Sequence, residues 1–290
     1  TSVPDRNANN PVVDKNFEKV IIKDGVTRIG NYLFFASSDT ANNDPWDWRQ
    51  TGIKEMFFSD TVTEIGNHSF ENVKNMSKLE LSDSIVKIGD SAFCGITSLG
   101  TVKLNKNLKK IGTYAFARIS INTIELPESV SELGEGVFSD CRNLSETIGF
   151  ERLSVIPNNL FERCPLKKYN FENVIKIGEF AFGNTKISEL NFSDNLKSIG
   201  EQAFVQCDNL KQVILPDSVT EIGNAFRECE NLQKIILSNN LNEIGEYAFF
   251  NCQSLTEIGI PKEVKKIYKG AFAGCSRLRK VTFLGNAECD

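Results

Sequence analysis

The sequence predicts a β-rich α/β solenoid of about twelve rungs, and three observations carry that expectation. A phenylalanine recurs every 21 to 23 residues, at Phe70, Phe93, Phe116, Phe138, Phe161, Phe182, Phe204, Phe226, Phe249 and Phe272, and Phe34 fits the phase once an insertion is allowed for. Upstream of each stands a short apolar alternation, and between the two a glycine recurs. Self-similarity at this period marks a solenoid, propeller or array. Such a chain folds as a stack of small units, each touching its neighbours, rather than around one globular core.

Residues 210–229, LKQVILPDSVTEIGNAFREC, display every element of the repeat. The opening Leu-x-x-Val-x-Leu ends in period-2 alternation, which sends Val213 and Leu215 inward from a short strand. The same strand is read at Leu99/Val102/Leu104, Ile121/Ile124/Leu126, Leu166/Tyr169/Phe171, Ile187/Leu190/Phe192, Leu232/Ile235/Leu237, Leu255/Ile258/Ile260 and Leu278/Val281/Phe283. Earlier rungs are Phe17/Val20/Ile22, Ile53/Met56/Phe58 and Met76/Leu79/Leu81, and the rung from Leu144 to Phe150 carries one extra residue. Pro127, Pro216 and Pro261 follow the strand, where a residue without an N–H suits the end of pairing. Val219 and Ile222 begin the return limb. Gly223 and its counterparts (Gly30, Gly66, Gly89, Gly112, Gly134, Gly178, Gly200, Gly245) then point to a positive φ or a close backbone approach. Pro157 and Tyr268 in that slot exclude positive φ as a universal requirement. Ala-Phe completes the unit from a helical or 3₁₀ turn, with alanine leaving room for its neighbour.

One unit cannot bury its own apolar face. Each large side chain stabilises by roughly 1.5–3 kcal/mol when buried, against about 1–2 kcal/mol of backbone entropy per ordered residue, so stacking must supply the net stability. In-register strands lie about 4.8 Å apart, which gives twelve rungs a span of roughly 55 Å.

Residues 1–16 are polar and asparagine-rich with two prolines, and read as a linker ahead of a solenoid at 17–290. Two origins fit a chain starting at Thr1: removal of a signal or anchor segment, which implies secretion, or a recombinant start. The net charge is −5 with lysines and glutamates well mixed, so no basic stripe points to nucleic acid. No run approaches the ~18 apolar residues of a membrane span.

The slots resemble the bacterial surface leucine-rich repeats of the BspA type, also called the Treponema pallidum type. The likeness runs over residues 17–283 and rests on IGxxAFxxC at 22- to 23-residue spacing. Small polar residues (Ser84, Asn107, Ser129, Asn195, Ser218, Asn240) replace the asparagine of the commoner leucine-rich repeat, and the next apolar residue comes one position early. The resemblance implies a right-handed solenoid with a parallel sheet on the concave face, secretion or surface display, and protein binding or adhesion.

Candidate chemistry is sparse. His68 is the single histidine, and without a second histidine or a nearby nucleophile it argues against triad catalysis. Six of the eight cysteines (Cys141, Cys164, Cys207, Cys229, Cys252, Cys275) lie three residues after the repeat phenylalanine, and no CxxC pair suggests zinc. Same-slot residues on adjacent rungs have parallel Cβ directions, unsuited to a disulfide. Buried free thiols are the expectation, with Cys94 off-phase and Cys289 exposed. The carboxylates occupy solvated positions and form no isolated pair. The sequence thus yields no catalytic residue, no metal site, no cofactor and no enzyme.

The outward strand residues form two columns. The first alternates charge, and Lys168–Glu189 and Lys234–Glu257–Lys280 are expected to pair along the stack. The second holds two apolar spots, Ile21 with Phe57 and Ile214 with Ile236, while Gly149 stands in this column in the rung with the extra residue. Between Phe34 and Ile53 the chain carries about 13 extra residues, an insertion near 36–50 of the long-loop kind that is often functional. Both tryptophans, Trp46 and Trp48, lie in it. They either cover the N-terminal edge of the stack or, with Phe57 and Ile21, present an aromatic binding patch. Phe283-Leu284-Gly285-Asn286 starts a further unit with no IGxxAF after it. The leading expectation is a secreted or cell-surface repeat protein that binds a protein partner in adhesion. A glycan-binding module using Trp46 and Trp48 as stacking platforms and a structural spacer of a larger envelope protein are the alternatives.

Overall fold

The computed structural model describes residues 18–35, 53–73 and 75–289, which form two compact units, Thr1–Gly149 and Phe150–Asp290. Each is a parallel β-solenoid. Phe17 and the insertion with Trp46 and Trp48 lie outside the described residues.

In the first unit, the short strands Arg28–Ile29, Glu64–Ile65, Lys87–Ile88, Lys110–Ile111 and Glu132–Leu133 form a continuous parallel sheet. Ile29, Ile65, Ile88, Ile111 and Leu133 stand in register along it. The longer strands pair two by two: Lys19–Ile21 with Glu55–Phe57, Lys78–Glu80 with Thr101–Lys103, and Thr123–Glu125 with Glu146–Ile148. In the second unit, seven short strands from Val155–Ile156 to Glu288–Cys289 make the continuous sheet. Its long strands pair as Gln212–Ile214 with Lys234–Ile236 and Glu257–Ile260 with Lys280–Phe283.

Ten long strands are present among the described residues, against the twelve rungs expected, so about ten turns carry a full strand. The runs 166–171 and 187–192 contribute only the bridge Phe171↔Phe192. Their inward slots hold Tyr169, Phe171 and Phe192 in place of aliphatic residues. These rings form a cluster of edge-on and tilted pairs with Phe161, Phe182 and Phe204, at centroid distances of 5.0–6.2 Å. A phenylalanine in the last inward slot is compatible with a full strand, as Phe283 shows, so what sets these two runs apart is the whole ring cluster around Tyr169.

The helical part of the α/β expectation fails: among the described residues there is no helix, and Ala-Phe sits in a non-helical turn. The cause lies in where its N–H groups point. In the Phe116 turn, Tyr114, Phe116 and Arg118 donate to the carbonyls of Glu135, Val137 and Ser139 in the next rung, at 2.8–3.0 Å. Every second residue thus bonds across the stack and not along the turn. Tyr114 (φ 53°) and Arg118 (φ 58°) adopt the left-handed conformation that this requires and that stops a helix. Equivalent positions flank most other repeat phenylalanines.

The phenylalanines stack as expected. Phe34, Phe70, Phe93, Phe116 and Phe138 follow one another at 5.2–6.0 Å with planes within 13°. In the second unit, Phe182, Phe204, Phe226, Phe249 and Phe272 do so at 5.5–6.3 Å. Close approach explains the repeat glycine at most positions, though not at Gly223, where a Cβ would meet only the Glu201 Cγ at 3.7 Å. The repeat glycine's φ is ordinary, but a Cβ on Gly112 would lie 2.6 Å from the Asp90 nitrogen, and one on Gly134 2.5 Å from the Thr113 nitrogen. Both clashes are with backbone one rung earlier, which cannot step aside.

Small polar residues tie each rung to the one before. Ser84, Ser129 and Ser218 hydroxyls donate to Val62, Leu108 and Leu196 carbonyls at 2.6–2.9 Å. Asn107 and Asn240 side-chain amides donate to Asp83 and Asp217 carbonyls at 2.8 Å. The Asn-slot departure seen in the sequence therefore keeps the slot's task, the capture of a neighbouring backbone carbonyl.

Candidate binding face

Strand alternation sends the middle residue of each long strand inward and its two flanking residues to solvent, giving most long strands an exposed–buried–exposed pattern. The outward residues form the candidate face.

In the first unit, Ile21 and Phe57 are register partners, 58% and 48% exposed. Lys19 lies over the Phe57 ring at 4.5 Å and 3.6 Å from the Glu55 carboxylate. The apolar pair is thus present as a surface spot with a cation on its flank. Trp46 and Trp48 lie outside the described residues, so nothing places them beside it.

One outward residue escaped sequence reasoning. The register pairs Glu146 with Thr123 and Ile148 with Glu125, so Ile148, 46% exposed, holds the second-column place assigned to Gly149. The extra residue is absorbed after the strand, where Gly149 takes φ +79°. Counting four residues forward from Leu144, as Ile214 follows Leu210, finds it, whereas counting twelve back from Phe161 gives Gly149.

In the second unit, Ile214 and Ile236 are register partners, 51% and 43% exposed. A groove of about 330 Å³ lies beside them, lined by Lys234, Ile236, Asn239, Glu257, Gly259 and Leu284 among others. A second, of about 470 Å³, is lined by Glu189, Asn191, Asn209, Lys211, Gln212 and Ile214 among others. The two apolar residues therefore stand between two concavities, one apolar-floored and one rich in amides.

The expected charge ladder closes only in places. Lys19–Glu55 pairs across rungs, whereas Lys78 pairs with Glu80 of its own strand at 2.8 Å. Among the described residues, no ion pair within 4 Å joins Lys168 to Glu189, or Glu257 to Lys234 or Lys280, although Glu257 and Lys280 share register. Solvated side chains at this spacing gain too little from contact to hold one geometry.

The cysteines are free thiols, buried except for intermediate Cys275 and exposed Cys289. Cys141, Cys207, Cys229, Cys252 and Cys275 point at the carbonyls of Phe116, Phe182, Phe204, Phe226 and Phe249, one rung back, at 3.0–3.3 Å. Burial pushes the Cys207 thiol up to about 11 and holds Cys229 well above the ordinary thiol range, so these groups are structural and unreactive. Off-phase Cys94 is also buried; burial raises its thiol, opposed by the Arg118 guanidinium 3.3 Å away. His68 stacks flat on Tyr32 at 4.6 Å and contacts Glu71 at 2.6 Å through Nδ1. Glu71 in turn lies 3.9 Å from Arg118. The arrangement packs a surface turn and places no nucleophile against the imidazole. Among the described residues, no group of three or more His, Cys, Asp or Glu is placed to hold a metal, and no helix is long and apolar enough to cross a membrane.

The family model for the BspA type leucine rich repeat region matches residues 63–182 and 175–288, in six copies. Solved structures share the leucine-rich-repeat fold. A leucine-rich repeat protein from Bacteroides ovatus is 23% identical, with a TM-score of 0.60, over 93% of this chain and 82% of that one. A leucine rich cell surface protein from Faecalibacterium prausnitzii is 22% identical, with a TM-score of 0.60, over 99% and 83%. The pneumococcal vaccine antigen PcpA is 21% identical, with a TM-score of 0.59, over 93% and 80%. No curated protein matches the sequence.

Proposed function

From the premise that the chain belongs to the BspA-type leucine-rich repeat family, we propose that it is a non-enzymatic, secreted or cell-surface protein whose long-strand face binds a protein partner in adhesion. The observation that carries the reading is the pair Ile214–Ile236: two β-branched apolar side chains, about half exposed, in register and flanked in the outward columns by Gln212, Lys234 and Glu257. Apolar centres with polar rims are how protein interfaces are built. Repeat stacking accounts for the buried cysteines and phenylalanines and leaves this face as the part free to vary. The similar Faecalibacterium chain is a cell surface protein, which supports the location.

The test is a biosensor screen of the full chain against immobilised extracellular matrix proteins, run beside an Ile214→Lys/Ile236→Lys variant. Binding to a matrix protein that weakens at least tenfold in the variant, with unchanged circular dichroism, is the expected result. Equal binding by both chains would remove this face from the reading. A glycan array run in parallel addresses the alternative. Glycan binding that disappears with Trp46→Ala/Trp48→Ala would favour stacking by the insertion over the strand face.

A further inference from the structure

We propose that the groove at Gly259 receives an extended acidic segment of the partner protein, with one bulky apolar side chain seated where Gly259 lacks its own. The inference rests on protein binding at the long-strand face and names what that face selects.

Gly259 occupies the outward column that holds Ile214, Ile236 and Thr282 in neighbouring rungs. A Cβ built on it meets nothing within 4 Å, and its φ is ordinary. The missing side chain therefore leaves open space, and neither the backbone nor packing requires the glycine. The strands on either side also belong to different pairs: Lys234–Ile236 ladders with Gln212–Ile214, and Glu257–Ile260 with Lys280–Phe283. The groove of about 330 Å³ lies along this seam, with Ile236 and exposed Leu284 on its walls. That volume is at the small end of the roughly 300–1,000 Å³ found for small-molecule sites. It suits one large side chain and its flanking backbone better than a cofactor.

Charge selects the sign of the partner. Lys234 lines the groove, Lys280 follows Glu257 in the outward column, Arg279 stands beside Lys280, and Lys211 lines the neighbouring groove beyond Ile214. All four are exposed, and among the described residues none has a carboxylate within 4 Å. Glu257 is the one acidic residue lining the groove at Gly259. Of the four cations only Lys234 lines the groove itself; together they face two carboxylates, Glu257 in this groove and Glu189 in the neighbouring one, which leaves the face cationic on a chain of net charge −5. Long-range attraction steers an oppositely charged segment in and disfavours a basic one. The interleaved isoleucines and the notch favour a polypeptide with apolar side chains over a polyanion recognised by charge alone.

The experiment is fluorescence anisotropy of the full chain with labelled ten-residue peptides, one alternating Glu and Leu, the other Lys and Leu, with heparin as a competitor. The Glu-Leu peptide is expected to bind at least tenfold more tightly than the Lys-Leu peptide. Its affinity is expected to fall at least tenfold in Gly259→Leu, which fills the notch without strain, and in Lys234→Glu/Lys280→Glu. Circular dichroism verifies that both variants fold. Equal binding of the two peptides, no binding of either, or affinity unchanged by Gly259→Leu overturns the proposal. Heparin binding that survives Gly259→Leu together with loss of peptide binding by heparin competition points to a charge-only polyanion site and also overturns it. If matrix-protein binding is lost in Ile214→Lys/Ile236→Lys while the Glu-Leu peptide never binds, protein recognition stands and the acidic selectivity falls.

Discussion

Truncation of a repeat phenylalanine should cost an amount set by its place in the stack. Phe204 is fully buried, lies parallel to Phe182 at 5.5 Å and Phe226 at 5.6 Å, and meets Phe171 edge-on at 6.2 Å and Phe192 at a tilt at 5.9 Å. Phe204→Ala removes a ring whose loss in a core costs about 3–5 kcal/mol. The cost should lie near the upper limit, because rungs held by neighbours on both sides cannot collapse into the cavity. Phe204→Leu keeps most of the burial and loses two stacked contacts of about 0.5–1.5 kcal/mol each, so about 1–3 kcal/mol. Phe272 stacks on Phe249 alone, at 5.7 Å, and is only half-buried. Its alanine variant should cost about half as much as that of Phe204, in line with a nearest-neighbour stack. Urea unfolding followed by far-ultraviolet circular dichroism measures all three. With a slope of about 3 kcal/mol/M, a cost of about 5 kcal/mol lowers the Phe204→Ala midpoint by about 1.5–1.7 M. A Phe272→Ala loss equal to that of Phe204→Ala would refute the idea that stability is summed rung by rung.

Three further outcomes can be measured. Gly134→Ala forces a Cβ to within 2.5 Å of the Thr113 nitrogen and should destabilise by about 1–3 kcal/mol, as overpacking does; Gly100→Ala, which meets nothing within 4 Å, should be neutral or stabilise by about 0.4–1 kcal/mol. Thiol titration of the native chain should find Cys289 reactive and the buried cysteines silent, with all eight appearing in denaturant; fast native labelling of Cys229 would contradict the packing described. Because burial raises the Cys207 thiol from 9.0 to about 11, the folded form holds its proton longer than the unfolded form does. That stability is complete below pH 9 and is lost as pH climbs from 9 through 11, by about 3 kcal/mol at about 1.4 kcal/mol per pH unit; a Cys207→Ala chain should show a shallower decline over this window in urea midpoints.

Much of the fold was legible because the repeat presents each slot many times. Val213 and Leu215 face inward, the phenylalanines stack and the cysteines are free thiols, all as the spacing implied. What the pattern concealed were properties that depend on partners far along the chain. The Ala-Phe turn resembles a helical turn in its residues, yet its N–H groups bond one rung away, and only the stack reveals that. Rungs with Tyr169, Phe171 and Phe192 keep the apolar pattern, yet pair only through the bridge Phe171↔Phe192. At the candidate face, Ile21, Phe57, Ile214 and Ile236 are exposed as their column position required. Ile148 was hidden by a one-residue slip, and the groove at Gly259 by the fact that an absent side chain leaves no mark in a periodic pattern.

The direction of the cross-rung bonds limits how such a chain can change in length. The Phe116 turn gives its N–H groups forward to 135–139, while Cys141 reaches back to the Phe116 carbonyl. A turn such as that of Phe116 is therefore held from both sides, and the spacing between donor and acceptor is one whole repeat. Gain or loss of a complete rung, such as residues 210–231, reconnects identical partners. A change of a few residues inside a turn leaves several donors and acceptors misaligned at once. Size in this architecture is a quantised variable, and shorter insertions are confined to joints such as Gly149, where one surplus residue already turns aside without breaking the register.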